Sequence, residues 1–171
     1  VVDSAGGAKE IQLGSPRRLA TIYNVNTRTA YNAGRYAQMM NTAEEFPYWQ
    51  YVAIEDSRTR PEHAKLHLMV FRYDDPFWKT HYPPNGWSCR CRVRALSAAR
   101  IKALGLNVSY GASFVRTHEV DAGVDETTGE LYRTTSTTFD NGRVKMTPDV
   151  GWSYNPGSAA FGTDQSLIRK L

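Results

Sequence analysis

Hydrophobic residues recur at three- and four-residue steps in the first quarter of the chain. The members of this stripe are Leu19, Ile22, Tyr23, Ala30, Ala33, Ala37 and Met40. Such spacing is typical of one face of an α-helix. Ser15 and Pro16 precede the stripe, and serine as N-cap with proline at the first helical position is a common helix start. The pattern predicts one long amphipathic helix of about seven turns.

The pattern changes after this helix. Tyr48 to Glu55 is rich in aromatic and β-branched residues and predicts a strand, and Leu68 to Phe71 predicts a second strand. Pro61 can open a short helix between the two strands. Residues 74–88 contain three prolines and a Pro-Asn-Gly turn, which predicts irregular backbone. A loop of this length needs something to hold it, such as a metal ion or buried Phe77, Trp78 and Trp87.

The remaining residues predict a short capped helix and a hairpin. Ser97 to Leu104 ends at Gly105, as capped helices do. Two strand-like segments, 131–139 and 143–146, flank Asp140-Asn141-Gly142, a strong hairpin-turn signal. We therefore expect an α+β fold in which the long N-terminal helix packs on a small mixed sheet. The expected divisions are a tail or linker over 1–14, a domain over 15–108 and a C-terminal β-rich extension over 109–171.

Composition narrows the class of protein without naming a function. The chain has 171 residues, enough for one domain with an appendage, and a net charge of +4. Its first residue is Val1, which suggests a fragment or a processed form. No apolar run approaches a membrane span, and two cysteines one residue apart suit free thiols or a metal ion better than a disulfide. These features predict a soluble protein made in a reducing cytoplasm.

Metal-binding residue types are concentrated between His63 and Cys91. This window holds both cysteines and three of the four histidines, so five candidate ligands are available: His63, His67, His81, Cys89 and Cys91. His63 and His67 would share one helix face, and Cys89 and Cys91 one face of an extended segment. The favoured set is His63, His81, Cys89 and Cys91, with His67 as the alternative fourth ligand of a structural zinc ion. Buried reduced thiols beside hydrogen-bonded histidines, or a catalytic thiol, remain alternatives.

A polar cluster precedes the first of these ligands. Asp56, Arg58 and Thr59 follow the first predicted strand. They could grip phosphate while Asp56 and His63 exchange protons, or they could form a buried Asp56–Arg58 ion pair that supports the next helix. We favour the structural interpretation because no nucleophile or phosphate-binding loop accompanies the cluster. The His63-to-His67 spacing also lacks the glutamate that a zinc protease would use.

The same window resembles a known family. Asp56 to His63, Asp74 to Trp78 and Tyr82 to Cys91 are similar to segments of the phage Mu F-type head morphogenesis family, the minor head proteins of tailed phages. The likeness extends over roughly Arg17 to Leu96, and the segment from Asp149 to Gly157 resembles the close of Mu-like members. Leu68 departs from the pattern, because similar sequences tend to carry glycine there.

This resemblance implies a structural protein of the virion head, assembled in the host cytoplasm. Such proteins associate with the portal vertex and act in procapsid assembly and in handling of the packaged DNA. The expected partners are therefore portal and capsid proteins, without a membrane or a small-molecule substrate. The alternative is a phage-encoded nuclease or effector that uses Asp56, Arg58 and His63.

Charge is distributed unevenly in a way that permits contact with DNA. Residues 76–118 contain basic residues and no acidic ones. Arg90, Arg92 and Arg94 alternate, so on one extended strand they would line one face and contact DNA phosphates without reading sequence. A solvated surface with clustered charge would give the same pattern.

Overall fold

The computed structural model describes residues 14–125 and 127–161, so the expected N-terminal tail lies almost wholly outside the described residues. The helices are α1 (Pro16–Asn41), α2 (Pro61–Lys65), α3 (Phe77–His81), α4 (Ala98–Ala103) and α5 (Pro156–Phe161). The strands are β1 (Tyr48–Val52), β2 (Val70–Arg72), β3 (Arg92–Leu96), β4 (Val108–Ser109), β5 (Val115–Val124), β6 (Leu131–Asp140) and β7 (Lys145–Met146). The α+β expectation is confirmed. None of the described helices is long and apolar enough to cross a membrane.

Helix α1 begins as the sequence predicts. The hydroxyl of Ser15 accepts a hydrogen bond from the backbone N–H of Arg18 at 3.3 Å. The predicted apolar stripe, however, is buried only in the second half of the helix. Ala33 and Met39 are buried there, whereas Leu19 and Tyr23 are 55% and 70% exposed. Periodicity predicts which face of a helix is apolar, but it does not predict how much of the helix length is covered by another element.

The first sheet is mixed, as expected, with strand order β3-β1-β2-β4. Strand β1 pairs antiparallel with β2 and β3, and β2 pairs parallel with β4. Helix α1 lies along the β3 edge, where Arg35 donates to the carbonyl of Val93 at 2.9 Å. Arg28 similarly donates to the carbonyl of Cys89 at 3.2 Å, just before β3. These two arginines satisfy backbone acceptors that an edge segment would otherwise leave to solvent.

Aromatic side chains form the core between the sheet and the proline-rich segment. Trp49, Phe71 and Phe77 are fully buried, and the Phe71 and Phe77 rings stack with centroids 4.1 Å apart. The proline-rich segment is not wholly irregular, because Phe77 to His81 forms α3 with Phe77 and Trp78 directed into the core. The expectation that Trp87 is buried is wrong, since 56% of it is exposed.

The second sheet has the order β5-β6-β7. The predicted hairpin is present, with β6 paired antiparallel to β7 and Gly142 at a φ of 81°, a conformation that glycine adopts readily. Strand β5 was not predicted, because its polar residues leave almost every position exposed and give no hydrophobic signal. Phe139 and Met146 of this sheet are buried in the same core as Trp49 and Phe71.

Candidate functional site

Three of the expected ligands meet at the beginning of α2. Arg60 is the N-cap residue, Pro61 occupies the first turn, and His63 is directed inward from the same turn. The ring Nδ1 of His63 lies 3.6 Å from the Cys89 sulfur and 3.7 Å from the Cys91 sulfur. All three residues are buried and both cysteines are free thiols. Among the described residues, these are the ones whose ligand atoms gather into a possible metal-binding group.

The distances fit coordination to one ion. In a tetrahedral zinc site, Zn–S and Zn–N bonds of about 2.3 and 2.0 Å place the two ligand atoms about 3.6 Å apart. The observed separations of 3.6 and 3.7 Å agree with that value. His63 Nε2 is buried without a hydrogen-bond partner in the described part of the chain. Burying an unpaired ring nitrogen costs about 1–3 kcal/mol.

The two thiols differ in acidity because they contact each other. A hydrogen bond with Cys91, aided by His63, holds the pKa of Cys89 well below its ordinary value. The same contact, together with burial, raises the pKa of Cys91. The pair therefore favours one thiolate that shares its neighbour's proton, and a soft thiolate is the form of cysteine that binds metal.

The structure places the other two expected ligands outside the cluster. His81 stacks on Phe77, and its Nε2 and Nδ1 lie 3.2 Å from the Met146 carbonyl and 2.9 Å from the Thr80 hydroxyl. His67 Nδ1 accepts from the backbone N–H of Ala53 at 3.1 Å, and its Nε2 faces the Glu55 carboxylate. Both ring nitrogens of each histidine are engaged elsewhere, so neither completes a four-residue shell.

The polar cluster is an ion pair, but with a different partner from the expected one. Asp56 binds both terminal nitrogens of Arg90, with Nη1 and Oδ2 2.6 Å apart. Arg58 lies 3.7 Å from the same carboxylate and is 78% exposed, so the expected buried Asp56–Arg58 pair does not form. Hydrogen bonds from Arg90 hold the pKa of Asp56 well below its usual range. Thr59 supports the turn, because its hydroxyl donates to the Ile54 carbonyl.

A second carboxylate ties the cysteine loop to the C-terminal part of the chain. Asp149 accepts from Arg60 Nη2 at 2.9 Å and from the backbone N–H of Trp87 at 3.1 Å. Sequence reasoning missed this contact, because Arg60 and Asp149 are 89 positions apart. The available signal was that the segment 149–157 resembles other Mu-like sequences. This resemblance indicates that the segment matters but does not say which residue it contacts.

The three arginines expected on one strand face have different environments. Strand β3 begins at Arg92, and Arg92 and Arg94 lie on its exposed face. Arg90 precedes the strand and is engaged by Asp56. Arg94 donates through Nε to the Gln50 amide oxygen at 2.8 Å. Alternation therefore aligns two of the three residues.

A cavity of about 240 Å³ adjoins the cluster of His63, Cys89 and Cys91. Its wall also includes Arg58, Arg60 and Arg90, and no acidic residue is among the lining residues. The site is therefore accessible to a small molecule or ion on its arginine-rich side.

Comparison with known proteins identifies the family. Residues 7–94, about half of the chain, match the family described as Phage Mu protein F like protein. The chain belongs to this family. His63, Cys89, Cys91, Asp56 and Arg90 all lie within the matched residues.

Two curated members of the phage Mu F group are similar over nearly the whole chain. "Putative capsid assembly protein F" of Escherichia phage Mu is 82% identical over 171 residues, which is 100% of this chain and 39% of that protein. "Mu-like prophage FluMu F protein" of Haemophilus influenzae is 51% identical over 162 residues, which is 95% of this chain and again 39% of that protein. The chain thus spans about two fifths of the length of these relatives. No solved structure matches it.

Proposed function

We propose that this protein is a structural component of capsid assembly in a Mu-like phage and acts as a minor head protein. The observation that carries the proposal is the 82% identity, across all 171 residues, with the relative named a capsid assembly protein. The protein would be assembled into the virion head in the host cytoplasm. Its partners would be portal and capsid proteins at the portal vertex.

The arrangement of the polar residues favours this role over the nuclease or effector alternative. Asp56 is held by Arg90, and His63 faces two sulfur atoms, so the pair expected to exchange protons is directed toward other partners. A general base needs hydrogen-bond access to its substrate. His63 is only 3% exposed, which supports a structural use of this side chain.

The first half of α1 offers a surface suited to a protein partner. Leu19, Ile22 and Tyr23 are exposed at helical spacing. The helix carries arginines and no acidic residue. Apolar anchors on a basic helix suit a groove with an acidic rim on a portal or capsid protein.

The role is tested by exchanging the matching segment of phage Mu protein F for this chain. We expect the chimera to give filled heads, counted by electron microscopy, and the chain to be found in purified heads by mass spectrometry. Deleting the segment should give empty or aberrant heads. Normal yields of infectious particles after the deletion would contradict an assembly role for this part of the protein.

A second candidate activity is contact with the DNA backbone by Arg90, Arg92 and Arg94. The supporting observation is the exposed position of Arg92 and Arg94 on neighbouring sites of one strand face. Since Arg90 is paired with Asp56, the first two are expected to carry most of the contact. We expect the Arg92→Gln, Arg94→Gln protein to bind duplex DNA less tightly at low salt, with a salt-dependence slope lower by about two.

A matched control exists for this measurement in the second sheet. Arg116 and Arg143 are exposed there, so changing both to glutamine removes the same charge from a different surface. If the control and the β3 variant lose affinity equally, or if the parent does not bind DNA at low salt, the strand makes no specific contact.

A further inference from the structure

The ligand set of His63, Cys89 and Cys91 is incomplete as a closed metal site. Structural zinc sites have four protein ligands, whereas sites with three protein ligands keep a position for an exchangeable fourth. The chain contains four histidines and two cysteines, and all six lie in the described residues. His67 and His81 have both ring nitrogens engaged elsewhere. His118 lies on the exposed arm formed by β5 and β6. Among the described residues, no further histidine or cysteine side chain is therefore available as a ligand.

We propose that His63 Nδ1 and the sulfur atoms of Cys89 and Cys91 bind one zinc ion whose fourth coordination position is taken by a water molecule or small anion from solvent. This differs from the closed structural site expected from the sequence. The cavity of about 240 Å³ beside the three ligands provides the space, since it is lined by all of them. It would hold several water-sized ligands.

Charge determines which exogenous ligand the position prefers. Zinc with two thiolates is neutral, so the surrounding side chains set the local potential. Arg90 is paired with Asp56 and Arg60 with Asp149, which neutralises two of the three lining arginines. Arg58 lies 3.7 Å from the shared Asp56 carboxylate and keeps 78% of its side chain exposed. One positive charge therefore remains at the cavity wall and favours an anion over water.

The ion would also hold two distant segments together. It connects the beginning of α2 to the Cys89–Cys91 segment, where Ser88 has a φ of 60° that a residue with a side chain rarely adopts. Binding energy of the ion would help to stabilise that turn. The site stands on its ligand geometry alone and does not depend on the assembly role.

The ligand set is tested by metal analysis of protein purified without a chelator. We expect about one zinc per chain in the parent, and loss of zinc in His63→Gln, Cys89→Ser and Cys91→Ser. The matched controls His67→Gln and His118→Gln should keep the metal. An absence of zinc in the parent, or loss of zinc from folded His67→Gln protein, would overturn the proposed ligands.

Cobalt substitution of the parent protein tests the same ligands without relying on variants that fail to fold. Thiolate-to-cobalt charge-transfer bands in the near ultraviolet should have the intensity of two sulfur ligands, and the visible bands should indicate a tetrahedral ion. Charge-transfer intensity for one thiolate or none would rule out the site.

The open position is tested by adding azide or phosphate to the cobalt protein. We expect saturable changes in the visible bands, with weaker affinity in Arg58→Gln and unchanged affinity in the control Arg143→Gln. Metal content should be the same in all three proteins. A spectrum that neither anion alters would mean that the shell is closed, and the exchangeable position would be disproved.

Discussion

At the residue scale, two histidines of the window between His63 and Cys91 have different surroundings. His63 is directed toward the sulfur atoms of the two cysteines. His81 is buried between Phe77 and Phe139, and its ring forms a hydrogen bond with the Met146 carbonyl. The sequence spacing identified both as candidate ligands. It could not separate them, because the atom that engages His81 lies 65 positions away along the chain. Tertiary contacts decide which histidine faces the two cysteines, and local spacing does not contain those contacts.

The pH dependence of stability should report this burial. Burial lowers the pKa of His81 from 6.5 to about 4. Between these two values the unfolded chain binds more protons than the folded one, so the free energy of unfolding falls as the pH falls below 6.5. We expect a loss of about 2 kcal/mol between pH 7.5 and 5 that is absent in His81→Gln, measured by urea denaturation at each pH.

The control for His81 is the exposed His118. His118→Gln should retain the full pH dependence, because replacing this exposed side chain leaves the burial of His81 unchanged. An ion bound at the proposed site would add its own pH dependence, since protons compete for the thiolates, but this contribution would be common to all three proteins. Equal slopes for the parent and His81→Gln would mean that His81 is hydrated in the folded state.

At the scale of elements, the contact between α1 and α5 depends on one small residue. A Cβ added at Gly157 would collide with the ring of Tyr36. Tyr36 in turn packs edge-on against Trp49 and Tyr82, with centroids 5.5 and 5.4 Å away. The sequence predicted α1 from its periodicity but gave no sign of α5 against it. Predicting the contact would have required knowing which glycine faces an aromatic ring.

Two glycine-to-alanine substitutions should have opposite effects on stability. We expect Gly157→Ala to lower the free energy of unfolding by about 1–3 kcal/mol, because Tyr36 is held by two aromatic neighbours and cannot yield freely. Gly34→Ala should raise it by about 0.5–1 kcal/mol, because a Cβ there meets open space within a helix. Denaturant unfolding of both variants measures the difference. A stable Gly157→Ala protein would show that Tyr36 can shift without cost.

At the scale of the whole molecule, several side-chain contacts cross the domain boundary that the sequence predicts near residue 109. Phe139 and Met146 of the second sheet are buried against the first-sheet core. Asp149 binds Arg60 and Trp87, and Asn155 donates to the Trp78 carbonyl at 2.9 Å. Local pattern predicted α1, β1, α2, β2 and α4 before the boundary, but it missed α3 and β4. It did not predict these crossing contacts, because they join residues far apart in the chain whose local sequences are ordinary for turns and strands.

The segment 15–108 should therefore not fold stably by itself. Removing Phe139 and Met146 alone would cost about 5–10 kcal/mol by analogy with large-to-small core substitutions. That loss is comparable with the whole stability of a typical domain. We expect the isolated segment to lack a cooperative thermal transition by circular dichroism and to expose its amide hydrogens to rapid exchange.

The matched comparison removes residues from the second sheet without touching the core. Glu119 and Thr135 face each other across β5 and β6, and none of the described residues 120–125 and 127–134 is buried. Replacing 120–134 by Asn-Gly closes the strands with a favoured two-residue turn. This shortened protein should unfold cooperatively near the parent temperature, because Phe139 and Met146 remain in place. Cooperative folding of 15–108 alone would instead make the boundary near residue 109 a true domain boundary, and would assign the core contacts of the second sheet to docking between domains.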